Sequence, residues 1–128
     1  MSGRIQAEIE LLRQVWADLE YREEDRWVLL PHYSTPETCI EAEVAVCFQI
    51  KPGHPGDPPY AFCVRSPVTP KGGGGFRRTS PSSDPPFAGE WIKFSWSPEG
   101  WRATADLKNG SNLLNFARSF RDRLAEGP

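Results

Sequence analysis

Cysteine is scarce in this chain of 128 residues: Cys39, Cys47 and Cys63 make an odd, widely spaced set with no C-x-x-C pair. Such spacing excludes a disulfide framework and a zinc ribbon, and it reads as reduced thiols in a cytoplasmic setting. Histidine is scarcer still, only His32 and His54, so no metal site is expected, and nothing calls for a cofactor. No apolar run approaches the roughly 20 residues that span a bilayer. Charged and polar residues interrupt every candidate signal-peptide core, and Ser2 stands where myristoylation would need glycine. A basic excess is missing too. Fifteen Lys+Arg against 17 Asp+Glu leave a formal charge of −2, which argues against nucleic-acid binding by bulk electrostatics.

Proline and glycine, by contrast, are plentiful. The 13 prolines and 11 glycines are nearly a fifth of the chain, against roughly 12% in an average protein. They are unevenly placed. One share lies between Pro52 and Pro59, and another in residues 66–89, a stretch dominated by Gly, Pro, Ser and Thr that includes Gly72 to Gly75. No periodicity survives there, so a long loop or partly disordered insert is expected within a single domain spanning residues 1–128.

Periodicity elsewhere is clear. Ile5, Ile9, Leu12, Trp16 and Leu19 recur at helical spacing and predict an amphipathic helix from about Arg4 to Glu24, capped by Ser2, with Arg4 and Glu8 on its outer face. Trp27 to Leu30 is a short apolar run closed by Pro31. Ile40 to Ile50 alternates in period two, as expected of a strand with one core face and one mostly wet face. Tyr60, Phe62 and Val64 repeat the alternation, as do Ile92, Phe94 and Trp96. Leu113, Phe116, Ala117, Phe120 and Leu124 predict a closing helix with Ser111 or Asn109 as its cap and Arg118, Arg121 and Arg123 outward. Strands in a run between helices indicate an α+β fold. The expected form is an antiparallel meander of about four strands with helices on one face.

Few residues suggest chemistry. Gly72 to Arg78 lacks the strand, helix and Lys-Ser/Thr pair of a phosphate loop. His54, in a tight proline turn, suits a partly exposed structural imidazole. Cys63 falls between Phe62 and Val64 on an alternating strand, so its thiol points away from the core, where it could react. Trp91, Trp96 and Trp101 are harder to assign to packing alone. Trp91 falls on the strand face opposite Phe94 and Trp96, and Trp101 lies beyond the turn, so both suit contact anchors.

The segment Pro52-Gly53-His54-Pro55-Gly56-Asp57-Pro58-Pro59 between two strands resembles the Y-P-x-x-P-P corner of the ubiquitin-conjugating (E2) and RWD superfamily, with His54 where tyrosine is usual. Prolines need no N–H partner and hold such a corner rigid. Gly89 to Ser97, followed by Trp101-Arg102 and Asp106, is similar to prokaryotic E2-like proteins of family E. The resemblance implies a part in a bacterial ubiquitin-like conjugation system of the kind linked to phage defence. Partners would be a ubiquitin-like protein, an E1-like adenylating enzyme and a second E2 or RWD subunit. An active E2 carries its thioester cysteine beyond the proline corner with a His-Pro-Asn motif nearby. Here no cysteine follows Cys63 and no His-Pro-Asn occurs. The resemblance therefore implies a non-catalytic adaptor. The alternatives are a transferase using Cys63 and an RWD-like interaction module of an unrelated complex. His54, Trp91, Trp96 and Trp101 are the expected contact residues around the corner built by Pro52, Pro55, Pro58 and Pro59.

Overall fold

The computed structural model describes residues 3–127. Helix α1 (Gly3–Arg13) leads into strands β1 (Glu20–Arg22), β2 (Trp27–Ser34), β3 (Glu43–Gln49) and β4 (Phe62–Arg65). Strands β5 (Thr79–Ser82) and β6 (Trp91–Phe94) follow, then a 3₁₀ turn (Leu107–Asn109) and helices α2 (Leu113–Arg118) and α3 (Phe120–Ala125). The chain is α+β, with one six-stranded antiparallel sheet in the order β1-β2-β3-β4-β6-β5. The expected cap at Ser2 lies outside the described residues.

Two strands come from places where none was expected. The helical stripe continues past Arg13, yet the helix stops there, and residues 20–22 pair instead with Trp27, Val28 and Leu29. A four-residue turn with Arg26 at φ 61° reverses the chain. The free edge of β2 offers ladder bonds that outweigh a short extension of helix, whose propensity is only a weak prior. Strand β5 arises inside the supposedly irregular stretch and pairs along its whole length with β6. That stretch is held at its start as well, because Ile40 N–H donates to Thr69 O at 2.8 Å and Cys39 bridges Pro70. The same contacts take residues 40–42 out of the long strand, which begins at Glu43 and leaves Ile40 61% exposed.

Strand β2 runs through Pro31 rather than ending there. The ladder register shifts between Leu30 and Tyr33, the kind of irregularity where a residue without an N–H costs little. Alternation then sends Val28, Leu30, Tyr33, Val46, Phe48, Phe62, Val64 and Phe94 to one face of the sheet. There they meet Ile9, Leu12, Leu113, Phe116, Phe120 and Leu124 from the helices. Phe62 stacks on Phe120 with ring centroids 4.0 Å apart, and on Phe94 at 5.2 Å.

The opposite face is not wet. Trp27, Leu29, Ala45, Cys47, Cys63 and Trp91 form a second buried cluster against which Phe87 packs. Phe87 belongs to the proline- and glycine-rich stretch, so this stretch is a cover for the sheet.

The closing helix is broken in two at Ser119. Its cap is Asn112, whose Oδ1 accepts from Asn115 N–H at 2.9 Å, and not Ser111 or Asn109. Arg123 points inward and is fully buried, correcting its expected outward position. Its guanidinium donates to the backbone carbonyls of Ser95 and Arg77 and lies 5.1 Å from the Phe94 ring centre. Among the described residues no helix is long and apolar enough to cross a membrane.

Candidate functional site

The proline corner is tied to the fold through its histidine. Pro59 is buried at the end of the corner, while Pro52 and Pro58 face solvent. His54 N–H closes a turn onto Lys51 O at 3.0 Å, and Asp57 N–H one onto Gly53 O at 3.0 Å. The imidazole is buried rather than partly exposed: its side chain is 1% accessible, with Nε2 2.6 Å from Glu8 Oε2. Glu8 itself is fully buried. Its carboxylate also accepts from Arg4 Nε at 2.7 Å and from Leu113 N–H at 2.6 Å, at the start of α2. Burial alone would raise the Glu8 pKa, but the bonds from His54, Arg4 and Leu113 together outweigh it and hold the carboxyl below its ordinary 4.5. An ionised carboxylate only accepts, so His54 carries its hydrogen on Nε2. One buried charge thus joins α1, the corner and α2.

Two of the expected contact residues meet beside this corner. Trp101 Nε1–H donates to Pro55 O at 2.8 Å and its ring lies 6.1 Å from the His54 ring. Trp96 Nε1–H donates to Ser119 Oγ at 2.9 Å. Between the two half-buried indoles lies a groove of about 470 Å³, walled by Pro98 and Phe116 and edged by Glu99 and Asn115. Both indole N–H groups are already paired inside the protein. What the groove offers a partner is therefore aromatic face with a polar rim, the composition of a protein contact. It holds no paired acid and base, and no nucleophile flanked by one.

Trp91 is not part of that surface. It is 4% exposed, its Nε1–H donates to Phe87 O at 3.0 Å, and the Arg65 guanidinium lies 4.9 Å from its ring centre. The alternation placed it on the correct strand face, but Phe87 covers that face. Replacing Trp91 with alanine should therefore lower stability by about 3–5 kcal/mol in urea unfolding, the reverse of what a surface anchor would do.

Cys63 shares this fate. It does point away from the main core, opposite Cys47 on β3 and Lys93 on β6, yet it is only 5% exposed. Hydrogen bonding from Cys47 lowers the pKa of its thiol most. Burial works against this, while Ser82 and the Lys93 ammonium assist. Cys47 is fully buried, and burial pushes its thiol up. Cys39 is buried too, and its pKa is raised by desolvation. Among the described residues no three His, Cys, Asp or Glu side chains gather as a metal-binding group.

The residue missed by sequence reasoning is Glu8. Its signal was present: Ile5, Glu8, Ile9 and Leu12 follow the i, i+3, i+4, i+7 spacing of one helix face. As a carboxylate it reads as a residue of the solvent side. Comparison of the chain with family models, curated proteins and solved structures finds no match.

Proposed function

We propose that the chain is a non-catalytic E2/RWD-like adaptor of a bacterial ubiquitin-like conjugation pathway. It would bind a ubiquitin-like protein, an E1-like adenylating enzyme or a second E2 or RWD subunit through the groove between Trp96 and Trp101. The observation that carries this reading is the burial of Cys63. Transthiolation needs a thiolate that the E1 thioester can reach, and here the nearest thiol to the proline corner lies under the chain from Ser82 to Trp91. All three cysteines are buried. The helix, strands, proline corner and closing helix also follow one another in the order the resemblance implies.

The position of Cys63, just beyond the proline corner and opposite Lys93 on β6, favours a second reading, a transferase that exposes Cys63 on meeting its E1. Affinity capture from the native host without reductant, followed by mass spectrometry, separates the two. The adaptor reading expects a ubiquitin-pathway protein held without a covalent bond. An ATP-dependent, thiol-reducible adduct that disappears in Cys63→Ser would establish the transferase. Recovery of a partner set with no ubiquitin-pathway member would establish an RWD-like module of another complex.

The groove has its own test. Trp101→Ala should weaken capture by ~2 kcal/mol, about thirtyfold, as for an interface anchor, with a much smaller change in unfolding free energy. Undiminished capture would remove the groove from the contact surface.

A further inference from the structure

A cavity of about 90 Å³ lies on the covered side of the sheet, between the exposed ring of Tyr60 and the buried pair Cys47 and Cys63, with Ser82, Asp84 and Lys93 in its wall. No role in the adaptor reading uses it. Cys47 and Cys63 are directly opposed partners on antiparallel strands. Such partners stand about 4.5–5.5 Å apart at Cα, within the 4.4–6.8 Å that a disulfide takes. We infer that Cys47 and Cys63 form a redox-active dithiol that hydrogen peroxide, entering this cavity, converts to a disulfide across β3 and β4. The inference stands apart from any adaptor role.

The oxidant follows from the burial. With Cys47 fully buried and Cys63 5% exposed, a molecule as small as hydrogen peroxide is the oxidant that suits the site, and bulky glutathione disulfide is not. Geometry also divides the work between the sulfurs. Cys63 is 5% exposed, with Lys93 opposite it on β6 and Ser82 in the cavity wall, so it meets the oxidant first, while Cys47 is fully buried behind it.

The Cys63 thiolate attacks one peroxide oxygen and the O–O bond breaks. Cys63 becomes a sulfenic acid, and the departing hydroxide takes a proton from the Lys93 ammonium. The proton released when the Cys63 thiol ionised restores that ammonium. The Cys47 sulfur then attacks the Cys63 sulfur. An S–S bond forms, the S–O bond breaks, and the hydroxyl leaves with the Cys47 proton as water. Two thiols are oxidised by two electrons, and one peroxide is reduced to two waters.

The test uses the full reduced chain treated with hydrogen peroxide, then alkylated and mapped without reductant. The expected result is a loss of about 2 Da, one for each thiol hydrogen, in a single Cys47–Cys63 linked peptide, with Cys39 alkylated only after unfolding. Cys47→Ser should stop at a Cys63 sulfenic acid that dimedone captures. Lys93→Gln should slow oxidation severalfold. Glutathione disulfide should leave the native protein unmodified over the same period. Oxidation of Cys39 first, intermolecular dimers, a glutathione adduct on Cys63, or no oxidation until denaturant is added would each overturn the inference. If Cys47→Ser fails to fold, the wild-type peptide map decides alone.

Discussion

Substituting glutamine for Glu8 should cost about 3–5 kcal/mol of unfolding free energy, the range for breaking a buried ion pair by removing one partner. Glutamine keeps the shape and loses both the charge and half of the acceptors. Glu8 receives donors from three directions: Arg4 Nε, His54 Nε2 and Leu113 N–H. An amide must turn its own NH₂ toward one of them, leaving a buried donor facing a donor. The effect should reach beyond α1, because the same carboxylate holds the proline corner and the first turn of α2.

The pH dependence carries a matching signature. The folded-state pKa of Glu8 lies below its ordinary 4.5. Its contribution to stability is therefore fully present above about 4.5, and it is lost as pH falls through the lower folded-state value. The Glu41 carboxyl is also held low. Burial raises it, but hydrogen bonds from its own backbone and from Thr69 outweigh that. The difference between the two proteins isolates Glu8. Urea unfolding at a series of pH values should show the gap between wild type and Glu8→Gln narrowing as the acid limb is entered. A variant within 1 kcal/mol of wild type at pH 7 (about a fivefold change in the folding equilibrium), or a gap that does not change with pH, would contradict this account.

Arg123→Ala is the second large effect, about 3–5 kcal/mol from a large-to-small cavity together with carbonyls left unsatisfied. The side chain is fully buried and its guanidinium serves the carbonyls of Arg77, Arg78 and Ser95, with Glu126 Oε1 3.7 Å away. Truncation leaves carbonyls without a donor and a void against Phe94. It also unpins the chain where β5 begins, three residues before Ser82. The cover over the second cluster should loosen, so Cys63 should become reactive toward a bulky aromatic disulfide reagent. In the wild type all three thiols should resist that reagent until the protein unfolds, because all three are buried. Wild-type stability in Arg123→Ala with its thiols still protected would show that the cover is held by something else.

Much of the main core was legible along the chain. Period-two alternation at 44–48, 62–64 and 92–96 sorted side chains to the correct sheet faces, and the stripe from Leu113 to Leu124 faces the sheet as spaced. The proline corner was visible as a corner. Local chemistry was harder to read. Asn112 caps α2 although Ser111 and Asn109 have equally suitable side chains, because a cap needs extended backbone at the one residue where the helix starts. Glu8 and Arg123 lie on the buried sides of their helices, and charge alone suggested the opposite.

Sequence by itself determined the strand and helix faces, since the repeat of 2 or 3.6 residues is set by local backbone geometry. It also determined the absence of any cysteine beyond Cys63. Only the tertiary structure decided which of those faces stays open. Alternation correctly sent Cys63 and Trp91 away from Phe62 and Phe94, and on that ground alone both looked reachable. Their burial depends on Ser82, Asp84 and Phe87, which come from a segment with no periodicity, held by ladder bonds between β5 and β6 and by Arg123 from the far end of the chain. Exposure is a relation between distant residues, and no pattern in one strand contains it.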